Sequence, residues 1–358
     1  MLVPFGPSNR SESQCGFVLV SVLWLLVIMT MAATAFSIWV TTVREEAAKR
    51  QAYQEGYRRA LDALNKVTFT YMAEMKTPQG IAWPATGGVK NEVFFDSFDD
   101  FLGGAAPKVK ASGNAGFLKL NSSVLDLGQG LRVVVQDHAG LIGLSELSQP
   151  HVFDNLIAAA GNSTLSIARL RDNLIDYQDR NSFSNLQGAE AIEYRRKNIP
   201  PPTNGVLRHP LQLRAIMDWD TLLATKGDEW LLRQFKEAGG ALVNINTAPD
   251  SVVALLLAKD GDLAAIKELR NKKTIESIFE LTRYSSNGED VPFTIMPSGG
   301  FRFWWWLEGD ATAQVYDVQF DHLAPGSKAW YINWSRRVKL PDDLAQSTPT
   351  VVNHPFFE

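Results

Sequence analysis

From Phe17 to Val43 the chain carries no charged residue, and beyond Val43 apolar positions recur at three- and four-residue spacing: Tyr53, Tyr57, Ala60, Leu61, Leu64 and Val67. At about 1.5 Å rise per residue the first stretch reaches roughly 40 Å as a helix, more than the roughly 30 Å of a bilayer's hydrocarbon core. The pattern predicts one long helix, membrane-spanning over 17–43 and amphipathic afterwards. Arg58, Arg59, Asp62 and Lys66 fall off the apolar face, and the pattern stops before Pro78-Gln79-Gly80. Gly56 costs about 1 kcal/mol relative to Ala inside a helix, which a helix of this length tolerates. A cleaved secretory signal has an apolar core of only about 7–15 residues, so the run is too long for one.

Residues 78–116, rich in Gly, Pro, Ala and Asp, read as a long loop with Phe94, Phe95, Phe98 and Phe101 as packing points. Residues 131–135 and 140–144 predict two short strands joined through 136–139. Helical segments are then expected at 151–160, 164–177, 210–224, 228–238, 249–258, 262–271 and 274–283. Pro200-Pro201-Pro202 interrupts them, because proline removes a donor and clashes within a helix. Strands return at 301–307, 313–320 and 329–338, with turns at Glu308-Gly309-Asp310 and Pro325-Gly326, and 341–358 reads as a loosely ordered tail. The predicted class is α+β: a sheet packed on the amphipathic half of the long helix, with an all-α block inserted between strands. The divisions expected are 1–16, 17–43, 44–145, 146–290, 291–340 and 341–358.

At 358 residues, with 45% hydrophobic and 21% charged side chains, the chain has the composition of a folded protein with one or two cores beside an anchor. A formal net charge of -4 argues against nucleic-acid binding. The sole cysteine, Cys15, precedes the apolar run, and Ser13-Gln14 before it is a poor lipidation signal. Basic residues do not fix the orientation of the span, since Arg10 stands before it while Arg44, Lys49 and Arg50 follow it.

Candidate chemistry concentrates in Asp172, Asp176, Asp179, Glu190 and Glu193. Counted from Asp179, Asn181, Asn185, Gln187 and Glu190 fall at spacings loosely like a calcium loop, but Phe183 and Ser184 stand where that loop needs an oxygen ligand and Gly. A solvated acidic loop is the plain alternative, and a hydrolase using Asp176, Asp179 or Glu190 a weaker one. His138, His151, His209, His322 and His354 show no zinc spacing, and no nucleophile elbow or phosphate loop is present. Trp304 and Trp306 share one face of their strand and Trp305 takes the other, which suits packing. At Thr247-Ala248-Pro249-Asp250 the sequence reads as a capped helix start, with Thr247 accepting from backbone N–H groups.

Several stretches resemble one family. Gly16 followed by Phe17-Val18-Leu19-Val20 is similar to the processing site of type IV pilin-like proteins, cut after the Gly. Ser21 occupies the fifth mature position, where most of them carry Glu and the K-type minor pseudopilin of type II secretion systems does not. Asp137 to Leu144, Leu174 to Asp179, Gly188-Ala189-Glu190 with Tyr194, and Val243 to Pro249 resemble that K-type family's interior motifs in order. The resemblance implies a pilin-like α+β fold and a non-enzymatic subunit at the pseudopilus tip. It implies a single inner-membrane span, a periplasmic body and a prepilin peptidase acting between Gly16 and Phe17. Partners would be I- and J-type minor pseudopilins and the inner-membrane assembly platform. It also implies calcium, for which Asp176, Asp179, Asn181 and Glu190 are the candidate ligands. The competing resemblance is to a membrane-anchored helix-hairpin-helix DNA receptor, using Asn244 to Arg283. Against it, Lys259-Asp260-Gly261-Asp262 puts two acids where such a turn approaches phosphate.

Overall fold

The computed structural model describes residues 15–83, 92–102, 108–110, 116–161, 165–237, 242–257, 260–284, 293–321, 329–352 and 357. The chain divides into two units, 1–58 and 59–358. The leader up to residue 14 and the expected Pro325-Gly326 turn lie outside the described residues.

Helix α1 (Cys15–Ala73) is continuous, as the periodicity predicts. Within the first unit its apolar residues are exposed, from Val18 and Leu19 through Trp39 to Val43, and the helix is long and apolar enough to cross a membrane. Arg50–Glu46 and Arg58–Glu55 pair along it at helical spacing.

In the second unit α1 buries Ala60, Ala63, Leu64, Val67 and Tyr71. Leu61 is only partly buried and Tyr57 is exposed, so the buried stripe is narrower than the sequence reading and runs further, to Tyr71. The Tyr71 ring stacks on Phe320 at 5.0 Å and tilts against Phe301 at 5.1 Å. Arg59 ties the helix to the 127–129 turn by donating to the Gln129 side chain at 3.0 Å and the Leu127 carbonyl at 2.6 Å.

The main sheet comprises β1 (Asn121–Asp126), β2 (Leu131–Asp137), β3 (Gly300–Leu307), β4 (Thr312–Phe320), β5 (Trp330–Lys339) and β6 (Thr350–Val351). Its order is β5-β4-β3-β2-β1-β6, antiparallel except for the parallel β1–β6 edge. The central β2–β3 pairing joins residues separated by the whole helical block, with Phe301 opposite Asp137 and Trp305 opposite Val133. Pleating puts Phe301, Phe303 and Trp305 on the face that meets Tyr71, and Arg302, Trp304 and Trp306 on the other. There Trp304 and Trp306 pack with Val124, Val134, Val315 and Leu232. All three tryptophans are buried, and burying each such ring contributes about 2–3 kcal/mol or more.

The inserted block comprises α2 (Pro150–Ala160), α3 (Ile167–Gln178), α4 (Ala191–Arg196), α5 (Asp228–Gln234), α6 (Asp250–Leu256) and α7 (Asp260–Lys272), with 3-10 turns at Pro210–Ala215 and Ile278–Tyr284. These surround their own core, including Phe153, Leu170, Tyr194, Trp219, Val253 and Ile266.

Three local expectations are corrected. Residues 138–140 form a 3-10 turn, and the next strand is only Ile142–Gly143, paired in parallel with Phe235–Lys236, so 131–144 is not a strand pair. The 78–116 stretch contains a small antiparallel sheet with Lys76–Thr77 and Phe117–Leu118, and the hairpin Glu92–Phe94/Lys108–Lys110, with Phe94 and Phe98 exposed. The end of the chain is tied down where it is described, by a helical turn at Asp342–Gln346 and by β6, whose backbone completes the sheet edge.

Candidate functional site

The interior motifs converge on two aspartates. The first is Asp137, fully buried at the end of β2. Its Oδ1 accepts from Ala139 N at 3.0 Å, from Ser298 N at 3.0 Å and from Ser298 Oγ at 2.8 Å. Its Oδ2 accepts from Thr247 Oγ1 at 3.0 Å and Asn244 Nδ2 at 3.3 Å. Tyr71, from α1, donates to the adjacent Ser298 carbonyl at 2.9 Å and lies 3.4 Å from Asp137 Oδ1. Burial and the neighbouring Asp137 charge hold the Tyr71 phenol well above its usual pKa, so it stays a donor. Gly140 is required by close approach, because a Cβ there would lie 2.8 Å from the Thr247 carbonyl oxygen.

Thr247 therefore does not cap a helix. α6 starts at Asp250 behind Pro249, and no side chain caps it. Asn246 also acts at a distance, donating to Ile275 O at 2.9 Å and accepting from Ile275 N at 3.0 Å. Every polar side chain of Asn244-Ile245-Asn246-Thr247 is thus spent inside the fold.

The second aspartate is Asp176, on the buried face of α3. It accepts from the Asn185 backbone N–H at 3.1 Å and from the Asn185 side chain, which folds the 179–190 loop back onto the helix. Gly188 passes so close that a Cβ would overlap Asp176 Oδ2. Asp172 accepts from Gln187 N at 3.0 Å, and Asn204 Nδ2 donates to Asn181 O at 2.9 Å, bracing the loop from both sides.

Glu190 completes the acidic cluster. It is 5% exposed, and its carboxylate caps α4 only loosely, toward the Glu193 backbone N–H, with no hydrogen bond of ordinary geometry. Asp179 Oδ1 and Asn204 Oδ1 are buried and unpartnered. Burial first, then the charges of Asp176 and Asp179, push the Glu190 carboxyl above its ordinary range. Glu193 does not join the group, because its Oε2 accepts from Glu190 N at 3.1 Å and its carboxyl is held low.

Asp176, Asp179 and Glu190 thus lie in one electrostatic environment. Asn181 braces the loop instead: its amide donates to Asp179 Oδ2 at 2.8 Å and accepts from Phe183 N at 2.7 Å. Asn204 is the bracing residue that the sequence reading missed, because it lies on a separate segment and no spacing rule reaches it. The all-oxygen donor set and its orphaned acceptors suit a hard cation. Among the described residues, no three His, Cys, Asp or Glu side chains are gathered closely enough to hold a metal ion as they stand.

Gly16 and Phe17 lie in the first turn of α1, and Ser21 lies on its exposed apolar part. Of the DNA-hairpin segment, α6 and α7 form, while residues 258–259 of its connection lie outside the described residues.

These features define an α+β protein whose N-terminal helix is a membrane-span candidate and whose inserted helical block carries a partly buried acidic cluster. The chain matches no family profile and no curated protein. It is similar in fold to a chain in the solved structure of the GspK-GspI-GspJ complex from the type 2 secretion system of enterotoxigenic Escherichia coli. The likeness has 15% identity and a TM-score of 0.48, and covers 82% of this chain and 98% of that one.

Proposed function

We propose that this chain is a minor pseudopilin of the K type, a non-enzymatic subunit of a type II secretion pseudopilus. The observation that carries the reading is the continuity of α1. One helix, Cys15–Ala73, holds both the exposed apolar run behind Gly16-Phe17 and the residues Ala60 to Tyr71 that are buried in the sheet-bearing unit. A helix so built serves as a membrane anchor before assembly. Afterwards, packing against the helices of I- and J-type partners replaces its lipid contacts.

In this proposal the span lies in the inner membrane, the body in the periplasm, and prepilin peptidase cleaves after Gly16. Ser21 offers no carboxylate to pair with the N-terminal amine of a subunit further on, and the helical block blocks stacking above, so the subunit sits at the tip. The cluster of Asp176, Asp179 and Glu190, with Asn181 bracing its loop, holds calcium, which neutralises carboxylates that burial alone leaves uncompensated.

The test is the N-terminal mass of the full chain extracted from membranes. A chain beginning at methylated Phe17 is expected. An intact Met1 in cells that process other pilin-like proteins overturns the proposal.

A further inference from the structure

The loop that folds back on Asp176 carries its apolar side chains outward. Phe183 is 83% exposed and Leu186 98% exposed, so neither has a packing partner of any size. The Asn204–Asn181 hydrogen bond lays the 203–206 segment alongside, and that segment adds Val206, 63% exposed. Between residues 179 and 208 every charged side chain that is exposed is cationic: Arg180, Arg195, Arg196, Lys197 and Arg208. The acids of the same stretch, Asp179, Glu190 and Glu193, are partly or fully buried. Arg180 and Arg208 have no ion-pair partner among the described residues, and Arg195 donates only to the Ala191 carbonyl of its own helix. Lys197 is paired with Asp218 at 2.7 Å and Arg196 faces Glu193 at 3.8 Å, so Arg180, Arg195 and Arg208 are the cations available to an external anion.

We infer that this loop surface docks on an anionic phospholipid bilayer, with Phe183 and Leu186 entering the acyl boundary and Arg180 and Arg208 facing the headgroup phosphates. A protein interface buries its apolar anchors in preformed, shape-matched pockets around a contiguous core. Here Phe183 and Leu186 are almost wholly exposed on one loop that also carries the unpaired Arg180, an arrangement that a fluid anionic phase accepts without shape matching. Arginine stems lie along the apolar surface while their heads reach phosphate. The 179–190 backbone, held by Asn185 and Gln187 on Asp176 and Asp172, gives the two apolar tips a fixed platform.

The test uses the full chain held by its own apolar helix in phosphatidylcholine nanodiscs, so that the anchor is already occupied. Capture of added vesicles of mixed phosphatidylcholine and phosphatidylglycerol is measured by co-flotation. Capture is expected with the mixed vesicles and not with phosphatidylcholine alone, and it weakens as salt rises. F183S/L186S lowers it at least about tenfold, and R180E/R208E at least about fivefold per arginine, with unfolding midpoints unchanged. Equal capture of neutral vesicles, or capture unaffected by F183S/L186S, overturns the inference. Absence of capture also overturns it and leaves the surface to a protein partner.

Discussion

Thr247 Oγ1 donates to Asp137 Oδ2 at 3.0 Å, joining the start of the last helical pair to the end of a central strand across a sequence separation of 110. The bond is buried, and it lies within a network that also takes in Ser298 at the entry to β3 and Tyr71 of α1. Sheet, long helix and inserted block are therefore fastened at one carboxylate.

Removing that carboxylate leaves several buried donors without an acceptor. Asp137→Ala is expected to cost about 3–5 kcal/mol, and Thr247→Val about 1–2 kcal/mol, with Thr247→Ser close to wild type. Urea unfolding of the full chain in detergent measures this through the transition midpoint. A Thr247→Val midpoint equal to wild type would show that the bond contributes nothing net.

The acidic cluster makes a separate prediction. If Glu190 and its neighbours hold calcium, adding the ion raises the unfolding temperature of the full chain in detergent, and chelator reverses the rise. Glu190→Gln is expected to abolish the calcium response while stabilising the metal-free chain, because it removes a buried charge that lies among acidic neighbours and is only loosely capped. Gly188→Ala is expected to reduce both stability and the response, since its Cβ displaces the Asp176 carboxylate. Persistence of the full calcium shift in Glu190→Gln would move the site elsewhere.

His209 supplies a pH dependence. Its Nδ1 accepts from Leu211 N at 3.1 Å, capping the 3-10 turn Pro210–Ala215, and its ring meets Trp334 edge-on at 4.9 Å. Burial, reinforced by the Arg302 charge, pushes its pKa down from 6.5 to about 4. The folded state then binds fewer protons than the unfolded state between those values, so His209's contribution is complete above pH 6.5 and is lost as pH falls toward about 4. His209→Asn keeps a capping acceptor and cannot titrate, so its stability should fall less steeply over that window. Parallel curves for the two proteins across the window would remove His209 as the cause.

A buried charge elsewhere contributes in the same direction, its stabilisation lost as pH falls. Burial alone would raise the Asp317 carboxyl, but His138 at 3.0 Å and Arg302 at 2.9 Å outweigh it and hold it well below the carboxylate range. Arg302 also donates to the carbonyls of Leu232 and Phe235, so the sheet's buried guanidinium grips the helical block.

Local periodicity was enough to place α1, the β3–β4–β5 strands and most of the helical segments, because each rests on a repeat that neighbouring residues enforce. The sequence also marked the Asp137, Asp176, Gly188 and Asn244 stretches as distinctive. What those residues do depends on contacts between distant segments. Asp137 meets Thr247, and Asp176 closes on Gly188, through chain separations that no period encodes. Thr247 read alone looks like a helix cap because a hydroxyl three residues before a helix ordinarily finds the nearest free N–H. In the fold a buried carboxylate lies within reach and accepts the stronger, charge-assisted bond. The strand expected over 140–144 survives only as Ile142–Gly143, and its partner Phe235–Lys236 was illegible because it lies more than ninety residues further along the chain.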